Sequence, residues 1–438
     1  MSMTCMTKQQ PEGSRNTIAI VGGGAAGLMA AIVAVRECRT LGTDTAVMLF
    51  EPNERLGRKL RITGKGRCNL TNACDRDEFL ANIPTNPRFL YSALADFSTQ
   101  DTQTFFEALG VPLKVERGKR VFPVSDRASD IAEAMARACD ELGVRVIRSR
   151  VEDILIDQDN REVLGVLAGG RSYAAGAVIV CTGGCSYPVT GSDGGGYRFA
   201  EAVGHTVVPP VASLVPIVCE GDLCARLMGL SLRNVRLQVV RLSDRKKIFE
   251  DFGEMLFTHY GMTGPLVLSA SAHMGDLQPG MYEIQINLKP ALDENTLDHR
   301  IVSDFQTYSN RDFINALDDL LPQKAIEPVA ELSGIDFHKK VHTITKEERH
   351  ALREVMQCLR FRPLRFRPIR EAIVTKGGVS VKEIRPKTME SKLISGLYFA
   401  GEILDVDGYT GGFNLQIAFS TAVAAGRAAA ETVQWSSD

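Results

Sequence analysis

The chain has 438 residues, too many for one ordinary core and enough for two or three domains of roughly 100–200 residues each. Its 44% hydrophobic and 24% charged residues are a globular balance. A formal net charge of −2 gives no electrostatic reason to expect nucleic acid or an anionic membrane as partner, and 7% aromatics with a single Trp do not suggest a stacking platform.

Ten cysteines are scattered from Cys5 to Cys358 with no CxxC pair. Free, mostly buried thiols in a reducing compartment are therefore expected. Met1 to Arg15 is polar and shows no secretory apolar region. The stretch from Ile18 to Val35 is apolar but contains four glycines, and no other run approaches the ~18 apolar residues of a spanning helix. A cytoplasmic protein is expected.

Thr17 to Val21 is a short β-branched apolar run, as in a strand buried on both faces of a parallel sheet. It leads into Gly22-Gly23-Gly24-Ala25-Ala26-Gly27 and then the alanine-rich helix former Leu28 to Val35. This is G-x-G-x-x-G between strand and helix. Gly22 permits the tight turn, Gly24 admits a pyrophosphate to the backbone, and Gly27 lets helix and sheet pack closely. The phosphates would sit on the free N–H groups at the helix start, beside Ala25 and Ala26. A second apolar strand, Ala46 to Phe50, ends at Glu51, 24 positions after Gly27, where an acid can bond ribose hydroxyls.

The segment after Glu51 distinguishes the dinucleotide. Pro52 to Leu60 and Thr63 to Asn72 form a Gly- and Arg-rich polar stretch without helical period, suited to lining an extended cofactor. At the far end, the strand Gly396 to Ala400 runs into Gly401-Glu402, then Asp407 to Gln416, then an Ala-rich helix over Ile417 to Val433. The positive end of that helix would favour negative charge on a reduced flavin. A cofactor gripped from residue 22 and again from about 401 is long, which favours FAD. A third piece, Ala177 to Gly184, reads as a strand followed by a T-G-G turn returning to the adenine side. In the G-S-x-G-D-G-Y-like stretch that follows, Gly195 stands where an Asp is common. The cofactor-binding candidates are Gly22, Gly24, Ala25, Ala26, Gly27, Glu51, Lys59, Gly64, Arg67, Cys68, Asn69, Thr71, Asn72, Thr182, Gly183, Gly184, Gly401, Glu402, Asp407, Gly412, Asn414 and Leu415.

These segments together resemble the BaiN-type, or YhiN-like, flavoproteins, some described as aminoacetone oxidases. The resemblance rests on Gly22 to Gly27, on G-K-G-R-C-N-L-T-N from Gly64 to Asn72, on F-T-H-Y-G-M-T-G-P from Phe257 to Pro265, and on the block from Glu371 to Gln416. It spans nearly the whole chain from Ile18. Lys65 replaces a usual Gly, and Thr410 and Phe413 fall at variable positions. The family implies a non-covalent FAD, a pyridine-nucleotide partner and an insert between the FAD-binding halves.

The expected fold is α/β: a Rossmann-like, two-dinucleotide-type FAD-binding domain over 16–206 and 371–438. An inserted β-barrel, which the resemblance implies, takes 207–293 and 360–370, and a helical subdomain takes 294–359. Within the insert, Leu214 to Val218, Leu232 to Leu242, Lys247 to Glu250, Met281 to Leu288 and Leu364 to Thr375 read as strands. Gly264-Pro265 reads as a helix start.

Two residues are catalytic candidates. His259 could serve as a proton donor facing flavin or substrate, against the plainer reading of a loop residue bonding backbone. Cys68, flanked by Arg67 and Lys65, could have a lowered pKa and react, against the plainer reading of a small buried thiol. No HExxH or paired CxxC supports a metal site.

The leading expectation is an FAD-dependent oxidoreductase that takes hydride from NAD(P)H and reduces an unsaturated or carbonyl-conjugated small organic substrate. No second GxGxxG follows a strand, so NAD(P)H would bind without its own Rossmann domain. The alternatives are an amine oxidase using O₂, a flavin-dependent RNA-modifying protein and a non-catalytic FAD-binding regulator. Nucleic acid is not advertised by a charge of −2, and oligomeric state is not readable from sequence.

Overall fold

A computed structural model of the protein describes residues 12–435. Cys5, most of the polar stretch from Met1 to Arg15, and the Trp435 side chain lie outside the described residues. Among the described residues, no helix is long and apolar enough to cross a membrane. The chain divides into two compact units, one running up to Ala212 and resuming at Ile373, the other Ser213–Ala372.

After a two-residue strand at Glu12–Gly13, the first unit runs into the strand β1 (Thr17–Val21), whose five residues are all buried. The turn after it opens the helix α1 (Ala25–Leu41), which ends where Gly42 adopts a left-handed conformation and donates to the Arg39 carbonyl. Strands β2 (Ala46–Phe50), β3 (Arg145–Ile147) and β4 (Ala177–Val180) run parallel to β1, with β4 beside β1, then β2, then β3. A three-stranded sheet pairs Thr71–Asn72 and Leu113–Glu116 with the two sides of Arg120–Pro123. A four-stranded sheet contains Val151–Asp157 and Glu162–Ala168.

The second unit carries β5 (Ile217–Cys219), β6 (Ser231–Arg241), β7 (Lys247–Thr258), β8 (Gly261–Thr263), the helix α2 (Pro265–Ser271) and β9 (Tyr282–Asn287). Three helices follow: α3 (Glu294–Thr307), α4 (Gln323–Ser333) and α5 (Lys346–Gln357). Two short strands close the unit, β10 (Leu359–Phe361) and β11 (Pro363–Phe366). The seven strands make one antiparallel sheet in the order β10-β9-β6-β7-β8-β5-β11. Its two outermost strands are consecutive in the chain, separated by Arg362 alone. A sheet whose opposite edges are joined by one residue must curl round on itself, so the strands form a barrel. Tyr282, Ile284 and Ile286 of β9 are buried and alternate with Glu283, Gln285 and Asn287. Helices α3 to α5 bury Leu297, Ile301, Val329, Leu352 and Met356 in the same core as these strands.

Two strands differ from the sequence reading. β7 runs to Thr258 instead of stopping near Glu250, because it pairs with β6 through a stretch that has no alternation of its own. The expected strand from Leu364 to Thr375 breaks at Pro368, which has no N–H to give a ladder. The chain re-enters the first unit as the strand Val374–Val379.

The first unit is completed by β12 (Leu397–Phe399) and the helix α6 (Phe413–Trp435). β12 pairs in parallel with β4, giving the sheet order β12-β4-β1-β2-β3. Small residues let α6 lie close to α1: a Cβ added at Gly426 would stand 2.8 Å from the Ala30 carbonyl oxygen. The architecture is α/β of the Rossmann type.

Candidate functional site

The turn between β1 and α1 is shaped by backbone crowding. Gly22 has φ +104°, and its N–H donates to the Phe50 carbonyl at 2.9 Å. A Cβ on Gly22 would sit 2.6 Å from the Cys181 carbonyl oxygen, and one on Gly27 only 1.8 Å from the Gly22 oxygen. Gly24 is the contrast: an added Cβ there meets nothing within 4 Å. Gly24 precedes α1 and no side chain caps it. The first N–H groups of α1, at Ala25 and Ala26, are thus left without a side-chain cap at the positive helix end. Glu51, 9% exposed at the end of β2, accepts from Gly23 N–H at 2.8 Å and from the Asn53 amide at 2.6 Å.

The opposite end of the chain meets this turn. Gly401 has φ +81°, and a Cβ there would lie 2.9 Å from the Ala26 Cβ. Its N–H donates to Thr421 Oγ1 of α6 at 3.0 Å. Next to it, Glu402 is a hub. One carboxylate oxygen accepts from Lys59 Nζ at 2.6 Å, the other from Ser186 Oγ and the Thr375 N–H, both at 2.9 Å. Lys59 also donates to Ser186 Oγ at 2.6 Å. The turn Thr182-Gly183-Gly184 borders this cluster: a Cβ on Gly184 would stand 2.5 Å from Thr375 Oγ1. Thr182 Oγ1 is buried without a hydrogen-bond partner.

A second group gathers at the start of α6. Gly411 and Gly412 have φ +126° and +100°, and a Cβ on Gly412 would collide with the Thr71 carbonyl at 2.3 Å. Asn72 donates to the Gly411 carbonyl at 3.0 Å, and Thr71 Oγ1 to Gln416 Oε1 at 2.6 Å. With its amide turned to suit its neighbours, Asn69 accepts from Gly412 N–H at 3.0 Å. Asn414 ties the loop back, accepting from Gly408 N–H at 2.9 Å. Asp407 is buried, and Leu415 half-buried. Burial raises the carboxyl pKa of nearby Asp405, with Asp407 adding to the rise.

Two candidates stand elsewhere than the sequence suggests. Arg67 is committed to Glu116 at 2.5 Å and Asp126 at 2.6 Å, and lies over the Phe122 ring. Cys68 matches the plainer of its two readings, a small buried thiol: it is fully buried, and desolvation pushes it up to about 12 against a lowering bond from Thr63. A thiol so held is protonated at neutral pH and is not the activated nucleophile its basic sequence neighbours suggested. Lys65 has φ +59° and Gly64 φ +57°, within the short helical stretch Leu60–Gly66. The left-handed region accounts for the usual Gly at position 65 in the resembling family.

His259 belongs to the second unit. With Tyr260 it forms the two-residue turn between β7 and β8, exposed, its ring edge-on to Tyr260 with centroids 4.9 Å apart. The imidazole makes no hydrogen bond among the described residues. The sequence reading missed Asn53, Ser186, Thr375, Gln416 and Thr421, all short polar groups that hold the candidate residues in place. Gln416 and Thr375 lay inside quoted motifs, and their signal was a polar side chain beginning or ending an apolar run.

The residues fit a dinucleotide. The open cradle at Gly24, the uncapped start of α1, the buried Glu51 and the orphaned Thr182 hydroxyl are the features such a ligand requires. The description HI0933-like protein Rossmann domain matches residues 16–428.

The chain belongs to the HI0933-like family.

This is the family of FAD-dependent oxidoreductases that the BaiN- and YhiN-like resemblance indicated. One relative, the 3-dehydro-bile acid delta(4,6)-reductase of Clostridium scindens, is 32% identical over 95% of this chain and 99% of its own. The ribosomal RNA dihydrouridine synthases of Haemophilus influenzae and Escherichia coli are 33% and 31% identical over 92% of this chain, covering 96% and 95% of theirs. Among solved structures, E. coli quinol fumarate reductase matches with a TM-score of 0.52 at 15% identity, over 98% of this chain and 72% of that one, and shares the fold.

Proposed function

We propose that this HI0933-like protein reduces a carbon–carbon double bond conjugated to a carbonyl, with hydride taken from NAD(P)H. The observation that carries the reading is similarity along nine-tenths of the chain to relatives named for two unlike substrates with one bond type in common. A 3-dehydro bile acid with Δ4,6 unsaturation carries its double bonds in conjugation with the 3-oxo group. Dihydrouridine is uridine after two hydrogens have been added to the ring double bond beside a carbonyl. Bound FAD supplies the carrier that accepts a hydride and passes it on.

The chain's own residues hold and orient. The N–H groups at Gly24 to Ala26 would take the pyrophosphate, and Glu51 the ribose hydroxyls. Lys59, Glu402 and Gly401 would line the middle of the cofactor, and Asn69, Thr71 and Gly412 the far end. The positive start of α6, a 23-residue helix, favours negative charge on a group held at Gly411 and Gly412. Reduction of a conjugated double bond needs one proton besides the hydride. We assign it to His259, whose imidazole is exposed and, among the described residues, makes no hydrogen bond.

An anaerobic titration of the purified flavoprotein with NADH and NADPH tests the donor. Bleaching of the visible flavin band by either one is expected; bleaching by neither removes the donor from the reading. Adding an enone to the reduced protein should then restore the band. Air restoring it much faster than any enone would instead indicate an oxidase. A second reading, in which the double bond belongs to a uridine in RNA, is favoured by the two relatives named as ribosomal RNA dihydrouridine synthases.

A further inference from the structure

A formal charge of −2 hides a local concentration. Between Leu359 and Ala372 the chain places five arginines, Arg360, Arg362, Arg365, Arg367 and Arg370, against one acid, Glu371. These residues are β10, β11 and the turn after them, the closing seam of the barrel. Leu359, Phe361 and Pro363 are buried, while Arg360, Arg362, Arg365 and Arg370 are exposed. Alternation at β10 turns Leu359 and Phe361 into the core and Arg360 and Arg362 outward, and Arg365 and Arg370 follow as exposed residues on β11 and the turn after it.

Acidic neutralisation of this strip is partial: a bond to Cys358 and the nearby charges of Glu283 and Glu354 raise the Arg360 pKa. Glu371 is held by Arg367 through two bonds of 2.8 Å. Glu220 stands 3.8 Å from Arg362, and both side chains are more than half exposed, at 55% and 72%. Among the described residues, no carboxylate lies within ion-pair distance of Arg365 or Arg370. Surface ion pairs of this kind contribute little stability, so the arginines are not explained by the fold.

Beside the strip lies an aromatic step. The Arg367 guanidinium sits 4.5 Å from the centroid of the Tyr260 ring. Tyr260 and the exposed His259 form the β7–β8 turn, and the Tyr260 carbonyl accepts from the Cys219 N–H of β5, the strand that pairs with β11. Arg360 and Arg362, two residues apart on one face, leave the backbone about 6.6 Å from each other, and Arg365 and Arg370 extend the series at wider spacing. That repeat suits successive phosphates of an extended polynucleotide, and an adjoining ring with a stacked arginine suits a splayed base.

We infer that the barrel seam is an RNA-docking surface: Arg360, Arg362, Arg365 and Arg370 contact phosphates, and Tyr260, backed by Arg367, stacks a base. This names the substrate class and so rests on the second reading above. The strip would position an RNA and carry no sequence information, which leaves recognition to the stacked base.

The test is fluorescence anisotropy of a labelled, single-stranded, uridine-containing RNA oligonucleotide across a salt series, with the FAD-loaded protein. The variant Arg360→Ala/Arg362→Ala/Arg365→Ala/Arg370→Ala should bind at least about tenfold more weakly, with a salt slope shallower by about 3, at roughly 0.7 per single-strand phosphate contact. Its flavin content and its reduction of a small enone should match the unaltered protein, which shows that it is folded. Tyr260→Phe should bind normally, whereas Tyr260→Ala should weaken binding and leave the slope unchanged. An unaltered protein that fails to bind at low salt overturns the proposal, as does a quadruple variant with unchanged affinity and slope. It is also overturned if the variant loses only NADPH-dependent flavin reduction, which would make the strip a donor site. RNA bound through the strip with no uridine reduced leaves the surface standing and removes the reaction assigned to RNA.

Discussion

The two units constrain their residues by different means. In the first, the backbone decides: Gly22, Gly27, Gly401 and Gly412 are places where any side chain would strike a carbonyl or a neighbouring Cβ. In the second, side-chain alternation decides. β9 and β10 present apolar residues inward and polar ones outward, so the barrel closes whatever polar residues occupy its outer face. A site made from backbone is fixed by the fold and serves one ligand shape. A site made on the outside of a barrel can change partner without disturbing the core. This contrast fits relatives that align from end to end and yet are named for a bile acid and for ribosomal RNA.

The sharpest way to break the contrast is Gly27→Ala. Its Cβ would lie 1.8 Å from the Gly22 oxygen, and neither backbone segment can yield. A loss of about 5 kcal/mol, at the exceptional end for one substitution, is expected. Thermal unfolding should show it, and the protein should purify without flavin colour. Phe257→Ala asks the same of the barrel. Phe257 is 1% exposed in a core separate from that of the first unit, and its truncation should cost about 3–5 kcal/mol. Flavin absorbance should survive at temperatures where circular dichroism already reports loss of strand; simultaneous loss of both would mean the two cores unfold as one.

A smaller effect follows from pH. His205 is buried, with Glu383 Oε2 at 3.1 Å and Ser391 Oγ at 2.7 Å from its ring nitrogens. Desolvation lowers its pKa below 6.5, against the raising influence of Glu383. A depressed folded pKa means the neutral ring is favoured by folding. Its stabilising contribution is therefore complete above the unfolded value and is lost as pH falls through the folded one. The melting temperature of the flavin-containing unit should decline as pH falls below about 6.5, and His205→Gln should flatten that decline.

The smallest effect has the opposite sign. Lys65→Gly relieves a left-handed residue at φ +59°. Relief of about 1–2 kcal/mol is partly offset by the greater freedom of an unfolded glycine. A net gain of about 0.5–1 kcal/mol is expected in denaturant unfolding, and no gain would mean the surrounding loop sets the conformation at little cost.

The first unit was the more legible in sequence because its strands and glycine turns leave the chain few choices. β1 and β2 were readable residue for residue because strands buried on both faces are continuous apolar runs, and the glycines between β1 and α1 admit few conformations. α6 begins at Phe413, four residues before its expected start at Ile417, since the two strained glycines before it end the loop abruptly. Cys68 shows what sequence hides. Its charged neighbours along the chain, Lys65 and Arg67, suggested an electropositive setting, but Arg67 is spent on Glu116 and Asp126 while the thiol points into the core. Burial is a property of the assembled fold. The Glu402 hub was partly legible, as Lys59 and Glu402 were both singled out. Their pairing across 343 positions, through Ser186 and Thr375, was not.

The pairing of β12 with β4 bears on the order of events during synthesis. On the ribosome, the strands that flank the nucleotide turn emerge early, but the sheet lacks its edge until residues 397–399 have been made. The whole of Ser213–Ala372, with its own core, is available for folding before then. The contact of Ala26 with Gly401 forms later still. Cofactor capture is thus a closing event of biosynthesis, and a nascent chain halted before residue 397 would carry a folded barrel beside an open, flavin-free sheet.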